Sequence, residues 1–210
     1  MPLQNRVDPW ARPHAHPSRA ATQFGNRGIL HNAQRAITKP WVGKAWVCCD
    51  PGFKGIDRRP LFQPGRYSEL FFLDEATAFA AGHRPCAHCR RSRYTEFKAA
   101  WAAVHCVARA PGELNISEID AHLHQSRASR GGGKITYTAP MASLPDGTFI
   151  DVDGTAYLLN RGKPLRWSFD GYSTNLHLPA AAEVTVLTPR PLVSLFARGF
   201  RPFVHASVDA

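Results

Sequence analysis

Residues 79–89 read Phe-Ala-Ala-Gly-His-Arg-Pro-Cys-Ala-His-Cys, and no other stretch constrains the fold of this chain so tightly. A helix must stop where Gly82 can take a left-handed backbone, and Pro85 prevents it from resuming. The chain then enters Cys86-Ala87-His88-Cys89. Two thiolates two residues apart can grip one ion while backbone amides turn toward the sulfurs, and Zn2+ favours four tetrahedral Cys or His ligands. The same turn recurs at 196–205 as Phe-Ala-Arg-Gly-Phe-Arg-Pro-Phe-Val-His, identical at six of ten positions, with Phe203 where the first copy has Cys86. The flanking residues do not match. The repeat therefore reads as a helix stop used twice, with thiols added to one copy.

The knuckle supplies two ligands, and a helix starting at Cys89 would turn its positive end toward them. Cys48 and Cys49, on a predicted strand over 44–50, are the source of a third. Adjacent strand residues face opposite sides, so one of the pair is expected to ligate, with Cys49 preferred. The fourth ligand stays open between Cys48 after a local kink, His31, His88 and the His105-Cys106 pair. Five cysteines are an odd count. The N-terminus has no apolar core of a secretory signal, which places the chain in the cytoplasm, where such a pattern reads as metal or thiol chemistry rather than disulfides.

The stretch Phe72-Leu-Asp-Glu-Ala-Thr-Ala-Phe-Ala-Ala-Gly-His-Arg-Pro-Cys-Ala-His-Cys-Arg-Arg91 resembles the second half of the metal-binding domain of the Ada DNA-repair family. In that family an alanine-rich helix ends in Ala-Gly-aromatic-Arg-Pro-Cys-x2-Cys. Similar endings occur in small zinc modules appended to nucleases. The likeness covers about residues 44–95. It implies that Cys86 and Cys89 are zinc ligands, that Arg84 lies near a phosphate backbone, and that the setting is bacterial DNA repair. Upstream the pattern departs: the family's Cys-x3-Cys is absent, because Gly52 and Phe53 stand four residues after Cys48 and Cys49. A methyl-accepting thiol, which the family places in that pair, would here need Cys48 or Cys49 to face an open cleft.

Charge points to a polyanion. The net charge is +10, and the whole excess lies in residues 1–110, the half that also holds every cysteine. A clustered basic surface attracts nucleic acid and releases counterions from it. Arg58, Arg59, Arg84, Arg90, Arg91 and Arg93 surround the knuckle in sequence and are the expected nucleic-acid contacts, with DNA favoured over RNA. No phosphate loop, dinucleotide fingerprint or serine elbow is present.

Periodicity fills in the rest. Strands are expected over 44–50 and 65–74. Asp74 caps a helix over 75–81. A second helix over 90–104 carries a stripe of Tyr94, Phe97, Trp101 and Val104. Ser117 with Asp120 suggests a capping box opening a third helix. Strands over 147–152 and 155–160 meet at Asp153-Gly154, a dipeptide suited to a type I′ turn, and further strands follow at 164–169 and 182–188. Thr188 is expected to cap a last helix, with Pro189 at its first position. The fold class is α+β: residues 1–26 a flexible basic tail, 27–127 an Ada-like zinc module with helices, a flexible linker at 128–134, and 135–210 a β-rich domain with a C-terminal helix. The function this implies is a protein held by structural zinc that binds nucleic acid, the alternatives being a DNA-repair enzyme with a methyl-accepting cysteine and a zinc-stabilised protein-interaction module.

Overall fold

Helices and two six-stranded sheets make up the chain, an α+β fold. The coordinates are a computed structural model describing residues 2–173, 179 and 182–209. The first sheet is mixed. It contains β1 (Gln4–Val7), β2 (Pro13–Ala15), β3 (Gln23–Asn26), β4 (Val47–Cys49), β5 (Leu70–Phe72) and β6 (Arg84–Pro85), in the spatial order β2-β1-β5-β3-β4-β6. The second is antiparallel throughout: β7 (Tyr137–Pro140), β8 (Phe149–Val152), β9 (Thr155–Asn160), β10 (Lys163–Ser168), β11 (Gly171–Ser173) and β12 (Glu183–Val186), in the order β11-β10-β9-β8-β12-β7. The helices are α1 (Glu75–Ala80), α2 (Arg91–His105), α3 (Ile116–Arg127) and α4 (Arg190–Ala197).

Local chemistry explains most element ends. Asp74 accepts from the Thr77 amide at 2.8 Å and caps α1. Asp153 and Gly154 both have positive φ (50° and 76°), the geometry a type I′ turn between β8 and β9 requires. Phe97 and Trp101 bury the α2 stripe, with Tyr94 and Val104 at its half-buried margins. Two caps differ from expectation. Asn115, not Ser117, caps α3 by accepting from the Ser117 amide, which frees Asp120 for other work. Thr188 accepts from the Phe149 amide at 2.8 Å, tying α4's approach to β8, and Pro189 stands at the cap instead.

The expected flexible tail over 1–26 is instead three strands of the first sheet. Val7 is fully buried, and Arg6 packs over the Phe71 ring of β5. Short strands rich in Pro, His and charged residues show no alternation, so sequence alone conceals them. The expected boundary at 128–134 also disappears. That segment closes on itself through an Ala128–Lys134 bridge, and the cores run across it. Phe79, Phe97 and Trp101 pack with Leu192, Leu195 and Phe196, while Leu73, Ala76 and Ala80 pack with Phe149, Leu158 and Leu165. Residues 27–127 and 135–210 thus share their hydrophobic cores. Asp74 adds a polar tie, accepting from the Tyr172 hydroxyl at 2.7 Å and the His205 amide at 2.9 Å.

Candidate metal centre

Three segments deliver three thiols to one point. β4 carries Cys49, antiparallel to β3 with Phe24 opposite Cys49, and parallel to β6 with Pro85 opposite Cys48. The short pairing of β6 with β4 continues as the Cys86 amide donates to the Cys48 carbonyl at 2.9 Å. That register sets Cys86 beside Cys49. The turn through Ala87 and His88 then brings Cys89 back just before α2. The three sulfurs lie within 4.8 Å of one another. Cys49 is 5% exposed and the other two are half-buried.

Backbone amides converge on the sulfurs, as an anion-stabilising knuckle needs. The Asp50 amide donates to Cys89 Sγ at 3.4 Å, and the amides of His88 and Cys89 reach Cys86. A hydrogen bond from the Cys49 thiol, aided by those amides and opposed by burial, lowers the Cys86 pKa to about 4. That bond and burial push Cys49 well up, and burial with the neighbouring Cys86 charge pushes Cys89 up. Three sulfurs this close disfavour ionisation of more than one of them. A divalent cation lets all three ionise, which is why soft thiolate sets capture such ions.

Cys48, also expected among the ligands, faces the opposite side of β4. It is fully buried with Val7, Leu70 and Phe72, and its Sγ lies 3.4 Å from both Gln23 Oε1 and an Arg90 nitrogen. Burial raises its pKa far above that of a free thiol. None of the other candidates for a fourth ligand, Cys106 included, joins the three sulfurs. His31 sits 2.6 Å from Ser68 Oγ and stacks on Phe62. His88 is exposed against Phe53, and His105 meets the Pro191 carbonyl at 3.0 Å. Among the described residues the candidate centre gathers three thiols that could serve as ligands.

The six expected nucleic-acid arginines divide evenly. Arg84 is 5% exposed and holds Asp120 through two bonds of 2.8 and 2.7 Å. Arg90 and Arg93 both bind the fully buried Glu75, at 2.7 and 2.8 Å. These three are internal braces, because a guanidinium buried against a carboxylate is not available to phosphate. Arg58, Arg59 and Arg91 remain at the surface. Arg58 lies over the Phe24 ring and donates to the Pro51 and Ile56 carbonyls, and Arg59 pairs with Asp57.

Sequence reasoning missed a basic groove beside the centre. It has a volume of about 570 Å3 and is lined by Arg6, Arg19, Arg58 and Arg59 together with the Phe24 and Phe71 rings. Burial and the neighbouring Arg19 charge lower the Arg6 pKa. Reading residues 1–26 as a tail removed Arg6 and Arg19 from consideration. No family model, no curated protein and no solved structure matches this chain.

Proposed function

We propose that this protein binds nucleic acid, DNA in the first instance, along the groove lined by Arg6, Arg19, Arg58 and Arg59, and that Zn2+ at Cys49, Cys86 and Cys89 steadies the loop forming one wall. The observation that carries the reading is the adjacency of groove and centre. The wall loop leaves β4 directly after Cys49, contributes Pro51, Asp57, Arg58 and Arg59, and has no buried residue from 51 to 61. A loop with so little apolar anchorage needs another source of order, and a metal at its root supplies one. Arg6, Arg19 and Arg58 have no carboxylate partner among the described residues, so their charge is available to phosphate oxygens. The aromatic faces beneath Arg6 and Arg58 hold the guanidinium groups flat.

Methyl transfer to Cys48 or Cys49 has less support, since a nucleophile must reach its substrate and these two thiols are buried. The test is a titration of labelled duplex and single-stranded DNA into the full chain at several salt concentrations. Log affinity should fall linearly with log salt, with a slope of about −2 to −4 if three or four phosphates are neutralised. Arg58→Ala should flatten the slope by about 1, and chelation of the metal should weaken binding. No binding to either form at ~50 mM salt removes the proposal.

A further inference from the structure

A second basic site lies on the seam between the two sheets, away from the thiols. It is a half-open cavity of about 570 Å3, walled by the β1–β2 turn, the loop after β3, the end of α3 and strands β8 and β12. Arg27, Arg127 and Lys134 line it. Arg27 and Arg127 are 2% and 1% exposed, and their guanidinium groups sit 4.8 and 4.2 Å from the Trp46 ring.

Among the described residues none of the three meets a carboxylate. Arg27 donates to the Ala11 carbonyl at 2.8 Å, Arg127 to the carbonyls of Gly82 and Lys44, and Lys134 to that of Ala80. The Nε atoms of Arg27 and Arg127 are buried without a hydrogen-bond partner. Asp151, the one carboxylate in the wall, already accepts from Trp10 Nε1 and the Gly154 amide, both at 2.8 Å. Asp8 lies close enough to favour charge on Arg27 and Lys134, but it is committed to His14 and the Arg12 amide. Arg84, Arg90 and Arg93, by contrast, are held against acidic partners. Here two buried guanidinium groups and a half-buried ammonium have hydrogen bonds only to carbonyl oxygens, with Asp8 and Asp120 nearby but committed elsewhere, and an undercompensated buried charge is among the costliest arrangements a fold can hold. Burial lowers Arg27 to about 10, Arg127 to about 9 and Lys134 to about 7, with mutual repulsion adding to the shifts of the last two.

The geometry points to a binding site for a phosphate monoester, its dianion seated among Arg27, Arg127 and Lys134. A dianion supplies the missing countercharge and has acceptor oxygens enough for two guanidinium groups and an ammonium. The cavity is far larger than one phosphate, and half-buried Trp41 offers an aromatic wall for whatever carries it. Carboxylate ligands fit less well, since one negative charge leaves two of the three cations unmatched.

The experiment is calorimetry on the full-length, metal-loaded protein with inorganic phosphate and, separately, a nucleoside 5′-monophosphate, with chloride at matched ionic strength as control. Saturable binding of at least one phosphate ligand is expected, with tighter binding of the nucleotide identifying an aromatic carrier and equal binding identifying free phosphate. Arg27→Gln and Lys134→Met should each weaken it about tenfold or more, and circular dichroism will report whether each variant is folded. Arg58→Ala, in the groove, should leave it unchanged, so this site and the nucleic-acid groove stand or fall separately. Absence of saturable binding by both ligands up to about 10 mM overturns the assignment. So does binding that survives unaltered in both folded variants.

Discussion

Two decapeptides, 79–88 and 196–205, stop two helices by the same device and then diverge. After α1 the Gly82 amide bonds the Phe79 carbonyl and the His83 amide bonds that of Ala78. After α4 the Gly199 amide bonds the Phe196 carbonyl and the Phe200 amide bonds that of Leu195. Both glycines have φ near +90° (87° and 95°), as this paired C-terminal motif demands. Beyond Arg-Pro the neighbours differ. The first exit pairs with β4 and carries Cys86 to Cys49. The second lies across the start of α1, where the Phe203 carbonyl accepts from the Ala76 amide and the Phe203 amide donates to Glu75 at 3.0 Å. Phe203, in the place of Cys86, lies beneath the Arg93 guanidinium at 4.7 Å. A turn sequence aims the chain, and the strand it is aimed at decides whether thiols there have anything to bind.

Removing the thiol that separates the copies should have the largest effect. Cys86→Ser takes one of three ligands from the centre and should abolish stoichiometric metal and the cooperative thermal transition around β4 and α2, whereas Cys106→Ser should change neither. Metal analysis by mass spectrometry with parallel thermal melts checks both. Next come the paired arginines. Arg84→Ala strands Asp120, buried with no other ion pair among the described residues, and should cost about 3–5 kcal/mol. The Arg201 side chain is exposed and among the described residues bonds the Asp146 carbonyl alone, at 3.3 Å, so Arg201→Ala should cost at most ~0.5 kcal/mol. Urea unfolding midpoints measure the contrast, and equal losses would mean that Arg84 is no brace.

What sequence makes legible here is short-range physics. The Gly82 and Gly199 stops, the Asp74 cap, the Asp153-Gly154 turn and the opposite facing of Cys48 and Cys49 each depend on a few neighbouring residues. The gathering of three thiols was readable because strand alternation and Cys-x2-Cys spacing are local rules. Partnership at a distance was not. Nothing near Arg84 marks Asp120, 36 residues on, as its counter-ion, and nothing near Glu75 announces that it will gather Arg90 and Arg93. The lone cations of the seam were equally hidden, because Arg27 follows β3 whereas Arg127 ends α3 and Lys134 closes the turn just after it, far down the chain. The first sheet's order, which inserts β5 between β1 and β3, leaves no trace in the periodicity of strands two to four residues long.

The two glycines sharpen the comparison further. A Cβ on Gly199 would have open space, so Gly199→Ala should cost about 1–2 kcal/mol, the strain of a left-handed backbone alone. A Cβ on Gly82 would stand 2.6 Å from Arg127 Cδ, and Arg127 is pinned by its bond to the Gly82 carbonyl. Gly82→Ala should therefore cost more, about 2–4 kcal/mol, and weaken phosphate binding in the seam cavity as well. Matching thermal shifts for the two substitutions would show that the surroundings of the turn do not matter.

The smallest effect concerns the residue after each glycine, His83 in one copy and Phe200 in the other. Both are buried rings: Phe200 packs on Phe79 and Phe97, and His83 lies 4.7 Å from the Phe72 ring and 5.4 Å from the Trp46 ring. Neither nitrogen of His83 has a hydrogen-bond partner, and burial, with Arg27 and Arg127 nearby, holds its pKa well below that of a free histidine. The first copy thus uses an imidazole as an aryl ring. His83→Phe should make it resemble the second and stabilise the fold by about 1 kcal/mol at pH 7, since two buried polar atoms are removed. Because the folded state disfavours the protonated ring, the unfolded chain binds the extra proton below its ordinary pKa of about 6.5, and stability drops as pH falls through that value. The advantage of His83→Phe should therefore widen between about pH 6.5 and pH 5. A gap between the two melting curves that stays constant over that range would mean that His83 accepts its proton in the folded protein, and that the two turns share less than their backbones suggest.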